Sequence, residues 1–296
     1  MLSYSKISLG LLAALGLTSG LATAALASDP TPAPATEERK FTYSFNIGGT
    51  NDYVFRGFAQ NKENPSAQGG IDLTYGIAYF GLWASNIDFG RNADAPVGSK
   101  LGSKIVSTEL DVYGGIKPVV GPATFDLGVI YYAYPGANDN GSRAIGSLQV
   151  PTQDYVEFKG GVSGAFIPQL DKLTLGGMIY YSPEYQGKQG QVWTVEASAA
   201  YELPAVGKIT TTISALVGSQ YGDATNIAGD TINSKFQLGN GSDSLLYWNV
   251  GVTLAVEKFS FDFRYWNTDI SNTNRFCNGA QLQCDGQFAF IGKFTY

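Results

Sequence analysis

The sequence predicts an all-β fold, a transmembrane up-and-down antiparallel β-barrel of about twelve strands with short turns at one end and long loops at the other. Three observations predict it. Apolar and polar residues alternate with a period of two along most of the chain, which sorts them onto opposite faces of a strand. The connections between these segments alternate between long and short. Aromatic residues, 18 Tyr and 17 Phe among them, are spread along a chain with only 15% charged residues, more rings than one ordinary core receives.

The elements follow in chain order. Lys6 precedes the apolar run "LGLLAALGLTSGLATAALA", and Ala25-Leu26-Ala27 supplies a small-x-small cleavage pattern, so residues 1–27 read as a secretory signal peptide. Residues 28–40, "SDPTPAPATEERK", carry no hydrophobic periodicity and read as a flexible periplasmic lead-in. No composition break follows, and residues 41–296 read as one barrel domain. No later stretch approaches the roughly 18 consecutive apolar residues of a membrane helix.

Strands are expected at 41–55, 67–76, 77–89, 105–117, 123–133, 154–166, 172–181, 191–202, 208–218, 244–257, 258–268 and 287–296. In the first, Phe41, Tyr43, Phe45 and Ile47 alternate with Thr42, Ser44 and Asn46; in the fourth, Leu110, Val112 and Ile116 stand against Glu109, Asp111 and Lys117. Most have the roughly 9–11 residues that a tilted strand needs to cross a bilayer. The strand 77–89 is irregular: with Trp83 and Ile87 outward, Phe80 and Leu82 point in, which suggests a bulge or a local plug.

Long polar connections fall at 56–66, 90–104, 134–153, 182–190, 219–243 and 269–286, and short ones around Gly76, Lys117–Pro122, Pro168–Asp171, Pro204–Gly207 and Glu257–Phe259. A soluble sandwich has no reason to sort its loops by length, whereas outer-membrane barrels have short periplasmic turns and longer extracellular loops. On the outward faces, Tyr43, Tyr53, Tyr75, Trp193, Tyr201, Trp248 and Tyr265 are expected to form aromatic girdles. The opposite faces carry Asp72, Glu109, Asp111, Asp126, Glu157, Lys159, Glu196, Asp262, Arg264 and Lys293, expected to line the pore. A packed apolar core does not accept ten such groups, because burying unpaired charge is prohibitive. Arg56 belongs with them as a residue that projects to the outer mouth or pairs with a lumen carboxylate. Asp52 is about 13 Å away along the strand at roughly 3.3 Å per residue, so a tight partner has to come from another strand.

The final segment, "GQFAFIGKFTY", sets Phe288, Phe290, Phe294 and Tyr296 on one face and Gln287 and Lys293 on the other. It is expected to close the barrel against the first strand, since pairing alone abolishes the edges. Its aromatics also resemble the signal that the outer-membrane barrel assembly machinery reads.

Composition excludes several chemistries. The chain has no histidine, so His-based catalysis and His-ligated zinc are impossible. Glu109 and Asp111, two residues apart on one face, leave a carboxylate-based hydrolase formally open, with hydrated lumen acids as the plainer reading. The formal charge is −6, and the basic residues are scattered, against a nucleic-acid partner. Cys277 and Cys284 enclose six residues of the last long loop, and an exported chain permits a stapling disulfide there. The glycine pairs, such as Gly114-Gly115, are expected to permit curvature and close side-chain packing.

The blocks "TNDYVFRGFAQ" (50–60), "AQGGIDLTYG" (67–76), "GLWASNIDF" (81–89), "TELDVYGG" (108–115), "YYAYPG" (131–136) and "YYSPEYQG" (180–187) resemble those of the TorF-family putative porins. The resemblance is densest before residue 140 and implies an outer-membrane barrel.

The functional expectation is a porin or channel for passive diffusion of ions or small hydrophilic solutes. Twelve strands give a width between the side-chain-filled barrel of eight and the open channel of sixteen to eighteen. Seven acids against three bases in the strand-borne lumen set predict mild cation preference. The expected partners are the lipid bilayer, the assembly machinery and the diffusing solutes; no cofactor, metal or catalytic residue is expected. The alternatives are a non-conducting surface or adhesion barrel and the carboxylate hydrolase.

Overall fold

The computed structural model describes residues 40–89, 106–137, 153–186, 190–223, 244–270 and 285–296. The signal peptide, all but the last residue of the lead-in, and Cys277 and Cys284 lie outside the described residues.

In chain order the strands are β1 (Phe41–Thr50), the two-residue β2 (Val54–Phe55) and β3 (Phe58–Ala59), β4 (Ser66–Tyr75), β5 (Ala78–Asn86), β6 (Thr108–Ile116), the short β7 (Val119–Val120), β8 (Ala123–Ala133), β9 (Tyr155–Gly164), β10 (Leu173–Ser182), β11 (Gln191–Glu202), β12 (Ile209–Asp223), β13 (Ser244–Val256), β14 (Phe259–Thr268) and β15 (Gln287–Thr295). The twelve long strands form one closed antiparallel ring, each beside its neighbours in sequence. β6 pairs with β8 across the short β7 connection, and β15 returns to β1, so the wall has no open edge.

The seam between β1 and β15 runs from Asn46↔Thr295 to Thr50↔Ile291. It is extended at both ends. Phe45 and Tyr296 exchange backbone bonds of 3.1 and 2.9 Å and stack their rings at 5.1 Å. At the other end the Asn51 side chain donates to the Phe288 carbonyl at 3.0 Å and accepts from the Phe290 N–H. The last strand is thus a full partner of the first.

Period-two patterning builds the wall. Along β13, Leu246, Trp248, Val250 and Val252 are exposed, while Leu245, Tyr247, Asn249 and Thr253 are buried. The exposed sets of all twelve strands together form an apolar exterior that includes Phe41, Ile47, Phe158, Ile213, Phe263 and Phe288. A continuous apolar surface of that extent marks an interaction with lipid or protein rather than with water.

Inside, glycines seat large inward tyrosines. A Cβ on Gly81 would meet the Tyr113 ring at 2.2 Å, and one on Gly218 the Tyr247 ring at 2.3 Å. These strand glycines are therefore sockets for the ring of the directly paired residue on the adjacent strand.

Three strand expectations are corrected. The first strand ends at Thr50, not at residue 55, because the chain then turns into the barrel. β5 contains no bulge: its register with β4 is continuous from Gln68↔Ser85 to Tyr75↔Ala78. Its parity is the reverse of the expected one, with Trp83 and Ile87 buried inside and Phe80 exposed. β12 also continues to Asp223, into the expected loop 219–243.

Candidate functional site

The connection 51–65, expected as the end of the first strand up to residue 55 and as an outer loop from 56 to 66, folds into the lumen. β2 and β3 pair through Val54↔Ala59 and Phe55↔Phe58, and Arg56 and Gly57 turn between them with φ of 48° and 87°. Positive φ at both central residues is the type I′ hairpin geometry, which matches the twist of paired strands but is costly for a residue with a side chain. Every residue from Asp52 to Asn61 is buried.

Apolar packing draws the hairpin inward. Tyr53 meets Trp83 edge-on at 5.3 Å, and Phe55 lies 6.0 Å from the Tyr132 ring. Asp88 N–H donates to the Gln60 carbonyl at 2.9 Å, which ties the returning arm to the end of β5. These contacts explain the inward Trp83 and Ile87, since the lumen at that level is filled by protein. Tyr53, expected among the girdle rings, is buried for the same reason, and that placement is corrected.

The tip reaches the far wall. Around the ring, β9 and β10 stand five and six strands from β1, that is, opposite it. There Arg56 meets Glu157 of β9 in a two-point ion pair, Nη1 to Oε1 at 2.7 Å and Nη2 to Oε2 at 2.9 Å, both side chains 1% exposed. Tyr132 donates its hydroxyl to Glu157 Oε2 at 3.1 Å. The guanidinium carbon lies 4.9 Å over the Tyr180 ring and 4.7 Å over that of Phe55. Gln287 Nε2 donates to the Gly57 carbonyl at 3.0 Å, and a Cβ on Gly57 would stand 2.3 Å from Thr268 Cγ2. Of the two positions considered for Arg56, pairing with a lumen carboxylate is the one observed.

Between the hairpin and the wall, the interstice bounded by Asp52, Tyr53, Gln68, Arg264 and Trp266 has no space wide enough for a water molecule. The hairpin thus fills the lumen on that side. In the connection beyond β1, burial and then the charge of Glu63 push the Asp52 carboxyl up to about 6, against the Tyr53 backbone N–H.

The expected lumen set all points inward and forms two levels. Near the long-loop ends lie Arg56, Glu157, Glu109 and Asp111, with Glu196 below them. Glu109 lies beside the Tyr53 hydroxyl and receives a long 3.5 Å contact from that of Tyr134, and among the described residues its Oε2 and Asp111 Oδ1 have no hydrogen bond of normal geometry. Glu196 Oε1 accepts from the Tyr247 hydroxyl, and the carboxylate also lies beside the Tyr180 hydroxyl. Nearer the short turns, Lys159 Nζ pairs with Asp126 at 2.8 Å, and Asp126 also accepts from Tyr79 at 2.7 Å. Tyr113 donates to Asp72. Arg264 grips Asp262 through Nε at 3.0 Å and Nη2 at 2.9 Å and extends to Ser214 at 3.0 Å. Lys293 lies within electrostatic reach of Asp72 and Asp262.

Of the expected girdle, Tyr43, Tyr75, Trp193, Tyr201 and Trp248 are exposed on the exterior, and Tyr265 is half-buried between Trp248 and Phe288. In the last strand, Phe288, Phe290 and Tyr296 are exposed and Phe294 is half-buried. Sequence reasoning missed the hydroxyls of Tyr132 and Tyr247, the Tyr180 ring and Gln287. The one available signal was the unbroken run Tyr53-Val54-Phe55 before an x-Gly pair, which does not alternate as a strand with one wet face does.

A family model described as "Bacterial protein of unknown function (Gcw_chp)" matches residues 34–293, and the chain belongs to that family. The match is not specifically to the TorF family. A search of curated proteins finds no match. Among solved structures, the NanC porin is 7% identical, with a TM-score of 0.46 over 85% of this chain and 98% of that one. LpxR from Salmonella typhimurium is 12% identical, with a TM-score of 0.44 over 86% and 99%. CdiB from Escherichia coli is 10% identical, with a TM-score of 0.45 over 86% and 63%. Likenesses this distant carry nothing about activity.

Proposed function

We propose that the chain is an outer-membrane channel through which ions or small hydrophilic solutes diffuse down their own gradients, cations in preference to anions. The observation that carries this reading is the interior. Charged groups occupy inward faces near both ends of the strands, from Lys293, Asp72 and Asp126 by the short turns to Glu157, Glu109 and Asp111 by the long loops. A barrel serving only as a rigid scaffold would fill that space with apolar side chains, because a buried charge has to be paired or hydrated. Acids outnumber bases among these groups, which favours cations in a narrow lumen.

In this reading the inward hairpin is the constriction, held by the Arg56–Glu157 pair, and conduction follows its displacement. Export by a signal peptide at residues 1–27, recognition of Phe288, Phe290, Phe294 and Tyr296 by the assembly machinery, a Cys277–Cys284 staple and the resemblance to TorF-family porins belong to the same proposal. It assigns the chain no catalysis.

The hairpin also favours a second reading, a surface barrel that does not conduct because its lumen is plugged. Reconstitution into planar bilayers separates the two. A channel gives discrete conductance steps and a reversal potential on the cation side in a salt gradient. Silent bilayers from both the wild type and a variant with a released hairpin support the plugged barrel, and an anion-side reversal potential removes the acidic-lumen mechanism.

A further inference from the structure

We propose that the wall facing the hairpin tip is a binding site for the guanidinium or amidinium group of a small organic cation, and that Arg56 is its intramolecular occupant. Resting on the channel reading, the inference names the class of solute that competes at the constriction.

The wall offers what a planar, forked cation requires. Glu157 presents both oxygens in one plane, at 2.7 and 2.9 Å from the two terminal nitrogens, the two-point geometry that distinguishes guanidinium from ammonium. The Tyr132 hydroxyl holds that carboxylate in place from β8. Tyr180 supplies an aromatic face at 4.9 Å from the guanidinium carbon. All three side chains belong to barrel strands, so the seat persists when the hairpin leaves. Phe55, the second ring over Arg56, leaves with it.

The wall also has capacity that Arg56 does not use. Glu196 Oε2, the Tyr180 hydroxyl and Arg56 Nε make no hydrogen bond of normal geometry among the described residues, while the Tyr180 hydroxyl stands beside Glu196 and that of Tyr185 beside Arg56. Among the described residues, Glu109, Asp111 and Glu196 form no ion pair, so Arg56 is the cation that pairs with this acidic side of the lumen. A free guanidinium group can present its N–H edges to acceptors that the tethered one does not reach.

The occupant is built to be exchanged. Arg56 holds a φ of 48°, which side-chain-bearing residues rarely adopt, and its hairpin has only two pairs of residues in register. Release relieves the backbone strain but leaves Glu157 buried and unpaired, which a replacement cation corrects.

The test uses the full-length mature chain folded in detergent, with guanidinium chloride at low millimolar concentration as probe and isothermal titration calorimetry as readout. R56A should bind guanidinium at least tenfold more tightly than the wild type, whose seat is filled, and R56A/E157Q should lose at least tenfold relative to R56A. Should R56A fail to fold, R56Q, which keeps most of the side-chain volume without the charge, takes its place. Binding by the variant that is no tighter than wild type, or that E157Q leaves unchanged, overturns the proposal. The measurement needs no conductance, so a site that binds in a barrel that never conducts would sustain this inference and sink the channel reading.

Discussion

Arg56 and Glu157, 101 residues apart in sequence, close a two-point ion pair across the barrel with both side chains 1% exposed. Neither gains from water, so each is the other's main compensation for burial. Removing one partner of such a pair costs about 3–5 kcal/mol, because it leaves an uncompensated charge. R56A and E157A should each destabilise the detergent-folded barrel by that order in denaturant unfolding. The double variant R56M/E157L should cost much less than their sum. Single costs that simply add, within about 0.5 kcal/mol, would mean that the two side chains are neighbours and not a latch.

Gly57 sets the geometry of the tip. Its φ of 87° and the 2.3 Å approach to Thr268 leave no room for a side chain. G57V should therefore expel the tip and expose the peptide bond that follows Arg56. Limited trypsin digestion of the folded protein should cut after Arg56 in G57V and spare the wild type. Equal resistance in both proteins would show that the tip tolerates a β-branched residue without moving.

The ring sockets can be tested without touching the hairpin. G218V drives a side chain into the Tyr247 ring and should cost about 1–3 kcal/mol or more as overpacking. G160A, whose added methyl meets only Leu127 Cδ2 at 3.6 Å, should be neutral or mildly stabilising. Similar losses for the two would point to strand curvature, not the sockets, as the reason for glycine.

Asp52 makes stability depend on pH. With its carboxyl pushed up to about 6 from an ordinary value of about 3.9, the folded state holds this proton more tightly than the unfolded one. The contribution is fully present below the ordinary value and is lost as pH rises through about 6. The heat-modifiable gel shift should thus move to lower temperature between pH 4 and pH 6.5 in the wild type, and by less in D52N. Parallel pH profiles would remove Asp52 as the cause.

The wall was legible in the sequence, and the plug only as one of two readings of the irregular strand 77–89, for one physical reason. Period-two alternation reports which side of a strand meets an apolar medium, so residues such as Phe41 and Phe263, and the inward acids Glu157 and Glu196, sort themselves. That rule presumes a wet lumen. Where the hairpin fills the lumen, Trp83 and Ile87 have an apolar partner inside, and the same rule turns β5 the wrong way round. Tyr53 fails likewise, because an apolar ring faces lipid or a buried hairpin with equal ease. The Arg56–Glu157 pair leaves no local pattern at all: spacing along the first strand required a partner from elsewhere, but only the closed ring brings β9 opposite β1.

The most direct measurement is single-channel recording of the wild type and R56A side by side in a potassium chloride gradient. Expected are small, infrequent openings in the wild type, larger and more frequent ones in R56A, and a cation-side reversal potential in both. Contradiction would be identical behaviour of the two proteins, whether silent or conducting, or a reversal potential on the anion side.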